Sequence, residues 1–376
     1  MDILLMIVAA TIVLGVLVFI HEGGHFLASR LFGVRVTEFM LGMPGPSIGF
    51  TAGGTRFGIT PILLGGYARV CGMEPGEMSP HLQPVLAALY RRGTATMEDI
   101  AVDCGITAEE AYEALEELVE WGSAVAPLKS DRFNTYRAPK GYPLSKRRRA
   151  CKHAAHVAPP VEGDGARVLA QGEPRPVPDP RALFESEFRQ QYRSLPFWKR
   201  SVILVAGPAI NLLFAVIAFV VVFTFIGTDV QYADTGEIAH ITLDPIQAVQ
   251  LGFSYIGAVV QAVAGLFNPA TAAQVVEGST SIVGIAVMSG SAFQAGLSQF
   301  LLFMAMISTS LGIMNLLPIP PLDGGKFIVE VIQRVSRRTV SPRVMNALSL
   351  AGMALFLCLF AVMLNQDVQR FVLGNW

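Results

Sequence analysis

The chain has 376 residues, 52% of them hydrophobic and only 15% charged. That balance excludes an ordinary soluble enzyme and describes a polytopic membrane protein with a soluble part. The net charge of -1 hides an asymmetry: 22 Lys and Arg fall between Arg30 and Arg200, none between Ser201 and Gly325, five between Lys326 and Arg343, and Arg370 follows. Basic loops stay on the cytoplasmic side, so residues 30–200 and 326–343 are expected inside, and both termini and residues 227–291 outside. Cys71, Cys104, Cys151 and Cys358 show no paired spacing, so neither a disulfide framework nor a thiolate zinc site is expected.

The first predicted element is a span from residue 3 to about 30. Asp2 and the lack of a small-residue cleavage pattern argue against a removed signal peptide. Its uncharged run ends in His21-Glu22-Gly23-Gly24-His25. This puts two imidazoles and a carboxylate at membrane depth, where ionisable groups are costly and mark function by default. On a helix, residues i and i+4 share a face, roughly 6 Å apart along the axis. His21 and His25 can therefore hold one metal ion between them. Glu22 sits one step around the helix, where it can take a proton from water. In a soluble helix the pattern would suggest an ordinary zinc peptidase; at the end of a span it suggests one that works in the bilayer.

The soluble part comes next. Residues 50–70 mix apolar residues with glycines and read as a β-hairpin close to the membrane surface, with 57–70 as its strand pair. Residues 80–138 read as three helices, 81–92, 96–104 and 108–121, followed by a short hairpin over 124–137. That order resembles a winged-helix domain. The would-be recognition helix carries Glu109, Glu110, Glu113, Glu116, Glu117 and Glu120, and phosphate contact needs the opposite sign. Nucleic acid is therefore disfavoured against a cytoplasmic protein partner or a regulatory role. Residues 139–182 read as a disordered linker. Its cluster Lys146-Arg147-Arg148-Arg149 either touches anionic lipid headgroups or is simply solvated. Cys151, His153 and His156, in so polar a stretch, are not read as a metal site.

Three further spans are expected at 201–226, 297–322 and 345–364, each long enough for a hydrocarbon core of about 30 Å. The stretch 246–267 is long enough to compete. Gln247, Gln250, Ser254 and Gln261 share one helical face there, which favours a helix lying in the interface. A single crossing by that stretch would also invert the third span and turn its basic following loop outward. Pro318, Pro320 and Pro321 break the third span near membrane depth, which is tolerated only where the backbone lines protein or a wet cavity. Asp323 follows the break. Alone it could be a helix cap or turn residue; with the histidine pair it is read as the third metal ligand.

The His-Glu-x-x-His of the first span, Gly65-Gly66-Tyr67, Ala206-Gly207-Pro208-Ala209-x-Asn211 and the run Asn315-Leu-Leu-Pro-Ile-Pro-Pro-Leu-Asp323-Gly-Gly together resemble the bacterial site-2 protease family of intramembrane zinc metalloproteases. The resemblance covers residues 1–75 and about 195–370. It implies one Zn2+ per chain on His21, His25 and Asp323, with Glu22 as the base. It implies substrate contacts at Asn315, Asn211, Gly65, Gly66 and Tyr67. It also implies cleavage of single-span membrane proteins, such as anti-sigma factors or signal-peptide remnants, after a first cut by another protease. Two departures stand out. Ser310 occupies a position where many relatives carry Asn, and the segment after the second span is too short for the PDZ domain that many relatives place there.

The expected fold is an α-helical polytopic membrane protein of about four transmembrane helices, with a membrane-associated β-hairpin and an inserted cytoplasmic winged-helix-like α+β domain. The expected parts are 1–75, the first span and hairpin; 80–138, the insert; 139–195, a basic and Pro-rich linker; and 196–376, spans two to four. The competing reading is a non-proteolytic membrane scaffold or sensor that signals through the cytoplasmic module.

Overall fold

In hydrocarbon every backbone N–H and C=O must be satisfied within its own segment. The first 29 described residues answer this with one helix, α1 (Ile3–Leu31), about 44 Å long at 1.5 Å per residue. The computed structural model describes residues 3–63, 65–73, 78–140, 169–231, 238–337 and 340–373.

After α1 come β1 (Val36–Leu41), β2 (Ile48–Ala52), β3 (Thr55–Ile59) and β4 (Gly66–Val70), in the sheet order β2-β3-β1-β4. β1 runs parallel to β3, with Glu38 opposite Arg56, and antiparallel to β4, with Phe39 opposite Ala68. The expected pairing within 57–70 is thus corrected. The hairpin is β2–β3, and β1, a strand not anticipated from the sequence, separates β3 from β4. Phe39 explains its central place: its ring packs edge-on against Phe19 and Phe26 of α1. β2 is exposed along its length, with Ile48 and Phe50 standing out of the sheet.

The insert follows as α2 (Leu82–Arg92), β5 (Thr94–Ala95), α3 (Met97–Cys104), α4 (Ala108–Glu120), β6 (Tyr136–Arg137) and α5 (Pro180–Phe188). Capping boxes start α3, through Thr96 and Asp99, and α4, through Thr107 and Glu110, each satisfying two otherwise orphaned N–H groups. β5 pairs with β6, and Val125 bridges to Arg137. The core holds Leu86, Leu89, Ile100, Leu115, Leu118 and Trp121, all fully buried. It does not end at residue 138. Phe184 and Phe188 of α5 pack against Trp121 with ring centroids 5.9 Å away and planes tilted, so the last part of the expected linker is a packed helix. Lys146 to Arg149, Cys151, His153 and His156 lie outside the described residues.

Arg35 is a main link between the insert and the rest, beside contacts such as Arg193 with Glu117. The Arg35 guanidinium, just before β1, donates to the carbonyls of Trp121 and Gly122, to Glu187 Oε2 at 2.8 Å and to Gln190 Oε1 at 2.9 Å. Cys71 is buried beside it, and that burial pushes its thiol up to about 11, which leaves it unreactive at neutral pH.

The remaining elements are α6 (Phe197–Val220), continued by a π-helical turn at Val221–Ile226, β7 (Thr228–Gln231), β8 (Ile238–Ile241), α7 (Pro245–Gly265), α8 (Ala272–Gly278), α9 (Ile282–Gln294), α10 (Leu297–Asn315), α11 (Asp323–Ser336) and α12 (Pro342–Asp367). Among the described residues five helices are long and apolar enough to cross a membrane: α1, α6 with its extension, α7, α10 and α12; the bent pair α8–α9 would make a sixth. The protein is a polytopic, mostly helical membrane protein. Length and composition admit α7, the stretch expected in the interface, to the set. The expected third span is shorter than 297–322: α10 stops at Asn315, the prolines occupy the gap, and α11 starts at Asp323. α1 and α10 meet through Ala9, Val13 and Leu17 against Phe300, Phe303 and Met304.

Candidate metal centre

The centre forms where α1, α6 and the start of α11 converge. His21 and His25 lie one turn apart on the buried face of α1. Their Nε2 atoms are 3.4 Å apart, and each is 3.1 Å from Asp323 Oδ2. All three residues are buried, and they form the one cluster of three metal-ligand side chains found among the described residues. A tetrahedral ion held at 2.0–2.1 Å has ligand–ligand edges of about 3.3 Å. The triangle of two nitrogens and one carboxylate oxygen therefore fits a zinc ion without rearrangement. Each ring nitrogen facing away is also engaged: His25 Nδ1 lies 2.8 Å from the Ile203 carbonyl, and His21 Nδ1 lies 3.2 Å from Asn211 Nδ2.

Packing sets these positions. A Cβ on Gly207 of α6 would stand 2.3 Å from His25 Nε2, so only glycine lets α6 pass this close behind the ring. Asp323 is held in the first turn of α11, and Lys326 lies 3.5 Å from its Oδ1.

Glu22 points to the sheet. Its Oε2 accepts the backbone N–H of Ala68 in β4 at 2.9 Å. Ala68 has no chemical signature in the sequence and was not anticipated. Gly66, one of the anticipated residues, sits over Val18 and Glu22, and a Cβ there would stand 2.6 Å from Val18 Cγ1. Gly65 and Tyr67 flank it without meeting the metal ligands: the Gly65 carbonyl accepts from Gly42 N–H, and Tyr67 donates to Glu38 Oε2 at 3.1 Å. Asn315 lies at the end of α10, half-buried, with its amide donating to the Leu311 carbonyl one turn back. Asn211 is fully buried against His21.

A cleft of about 1220 Å³ reaches Ala68, whose N–H meets Glu22, and Lys326, next to Asp323, while His21, Glu22, His25 and Asp323 themselves do not line it. Its walls include Ala68 and Val70 of β4, Glu113 and Glu117 of α4, and Lys326 and Glu330 of α11. Burial raises the Glu117 carboxyl above its ordinary range against the opposing pull of the Ser79 N–H and Arg193. Burial likewise raises Glu330, opposed by Arg200 and Tyr192.

Residues 9–359 match Peptidase family M50. The chain belongs to that family. It is 28% identical over 378 residues to a Mesorhizobium japonicum protein that carries a zinc-metalloprotease name, across 95% of this chain and 96% of that one. It is 24% identical to the zinc metalloprotease RasP of Oceanobacillus iheyensis, across 98% of this chain and 99% of that one. It is 21% identical to RasP of Geobacillus kaustophilus, across 98% of each. The M50 chain described here is thus a metalloprotease of the site-2 type, a family whose members work with zinc.

Proposed function

We propose that this chain is an intramembrane endopeptidase that cuts single-span membrane proteins. His21, His25 and Asp323 hold one zinc per chain, and Glu22 is the general base. The observation that carries this reading is the triangle of ligand atoms at 3.1–3.4 Å at the end of an apolar helix, with a carboxylate beside it. Zinc, when bound, supplies a Lewis acid that acidifies water and polarises a carbonyl. Glu22 takes the proton from water and returns it to the leaving amine. The Ala68 N–H orients the carboxylate for that exchange.

A substrate helix hides its carbonyls in its own hydrogen bonds and must unwind first. β4 is an edge strand. Ala68 turns its N–H away from β1, and antiparallel alternation turns its C=O the same way. The Ala68 N–H stays with Glu22, so a substrate strand added along this edge would pair with its other outward groups, the Ala68 carbonyl among them, and recover part of the bonds lost on unwinding. Gly65, Gly66 and Tyr67 belong to the segment that such a strand would follow, and Asn315 would contact it as the family resemblance implies. Helix-breaking residues in the substrate lower the cost of unwinding. The exposed Ile48 and Phe50 suit a sheet resting on lipid.

The basic residues put 30–200 and 326–343 in the cytoplasm, with the chain ends outside. In this arrangement α1, α6, α10 and α12 cross and α7 lies in the outer interface. The insert 80–138, with α5 packed on it, then stands on the cytoplasmic flank, where a substrate leaving the cleft passes α4. Its acidic α4 favours a protein ligand over nucleic acid, and its winged-helix-like order of elements serves as a filter from inside. Anti-sigma factors and signal-peptide remnants are the substrate types implied by the family resemblance.

The test compares wild type with Glu22→Gln on a tagged single-span protein in the same membranes. Cleavage should fall by about 10²- to 10⁴-fold while bound zinc persists. Equal processing by both chains would sink the protease reading and favour a scaffold that signals through the insert.

A further inference from the structure

We propose that the side-chain carbonyl of Asn211 holds His21 in the tautomer that leaves Nε2 free for zinc, which makes Asn211 a positioning residue. This inference rests on the zinc-site reading above. A neutral imidazole carries one N–H, and a nitrogen that ligates a metal must be the other one. Both Nε2 atoms converge on Asp323 Oδ2, so both rings carry the proton on Nδ1 when they ligate. A buried N–H needs an acceptor, and metal-bound histidines nearly always donate that second N–H to an oxygen.

His25 finds its acceptor in the Ile203 backbone carbonyl at 2.8 Å. For His21 the group facing Nδ1 among the described residues is the Asn211 amide, 3.2 Å away. Asn211 is 0% exposed, and its Oδ1 has no hydrogen-bond partner. Turning the amide by 180° about its terminal torsion exchanges Oδ1 and Nδ2 without changing its shape. Oδ1 then accepts the Nδ1–H of His21. Ser308 Oγ of α10 donates to the Asn211 backbone carbonyl at 2.9 Å, which ties α6 to α10 at that turn and fixes the backbone from which the amide reaches His21. Full burial behind the ring also removes Asn211 from the substrate path that the resemblance implies for it. The two histidines thus have unlike supports, a backbone carbonyl that no substitution deletes and a side chain that one substitution does.

The experiment uses the full chain loaded with zinc and follows the metal retained against a competing chelator, with thermal unfolding in parallel. Asn211→Leu keeps the volume and removes the acceptor; its zinc affinity should fall about 10- to 100-fold. Asn211→Asp keeps the acceptor and should stay within a few-fold of wild type. Should Asn211→Leu not fold, Asn211→Ala removes the same acceptor and carries the same expectation. A residue that merely fills space gives the opposite order, with the apolar variant mild and the buried charge severe, and that order would overturn the inference. Zinc held equally by wild type and Asn211→Leu would also overturn it. Wild type that binds no zinc would instead overturn the metal-site reading itself.

Discussion

Within the insert, large apolar side chains fill the interior: Trp121, Leu86, Leu115 and Leu118 are each fully buried. Around the metal centre the interior is built from small residues and paired polar groups: Gly207, Asn211, Ser308, and two histidines whose outer nitrogens both have partners. The first region is stabilised by area removed from water. The second has no such source, because lipid is as apolar as the protein interior. Its stability comes from close backbone approach and satisfied hydrogen bonds. Changes in volume should therefore dominate in the insert, and changes in bonding at the centre.

The sharpest break of that contrast is at Asp323, the proposed third ligand. Asp323→Ala removes one of three ligand atoms and should weaken zinc binding by at least about 100-fold, beyond the loss of an outer partner, with cleavage lost alongside. The insert should keep its fold, since no residue of its core touches Asp323. Metal analysis together with protease resistance of the insert checks both halves.

Arg35 lies on the boundary between the two regions. Arg35→Met keeps the stem and deletes the charge, leaving the buried Glu187 carboxylate with the Ser123 hydroxyl at 2.6 Å as its remaining partner. A buried pair broken from one side costs about 3–5 kcal/mol, so hydrogen exchange in α5 and β1 should accelerate while zinc stays bound. Arg35→Met combined with Glu187→Leu should recover part of the loss. Unchanged exchange would show that the insert is held chiefly by other contacts.

The smallest effect is expected on the cleft wall. Glu113→Lys reverses one charge on α4 and should slow cleavage of a substrate with a basic cytoplasmic flank by roughly two- to fivefold, the scale of one exposed ion pair. A substrate with a neutral flank should be unaffected. Equal slowing of both would remove the insert from substrate selection.

The contrast also explains what the sequence made legible. Helices α2, α3 and α4 follow from amphipathic periodicity and two capping boxes. The convergence of His21, His25 and Asp323 follows from a spacing and a proline break, because metal chemistry tolerates few residue types. β1 escaped because Val36–Leu41 alternates poorly and owes its central place to the rings of Phe19 and Phe26, a tertiary effect. α5 escaped because its apolar face, Leu183, Phe184 and Phe188, sits in a polar, Pro-rich stretch. It declares itself only against Trp121. α11 escaped because the prolines before it mask a strongly amphipathic helix. The Ala68 N–H carries no residue-type signal at all. Excision at 80–138, natural from the sequence, would strand both α5 and Arg35.

The sheet order has a mechanical consequence. Arg35 grips the insert, and β1 begins at the next residue. β1 is hydrogen-bonded to β4, and β4 presents the Ala68 N–H to Glu22. Arg35, the β1–β4 pair and the Ala68 N–H thus form a continuous line of hydrogen bonds from the insert to Glu22, along which a displacement of the insert would reach the carboxylate proposed as the base. In this linkage the insert is the handle, β1 the shaft and β4 the blade.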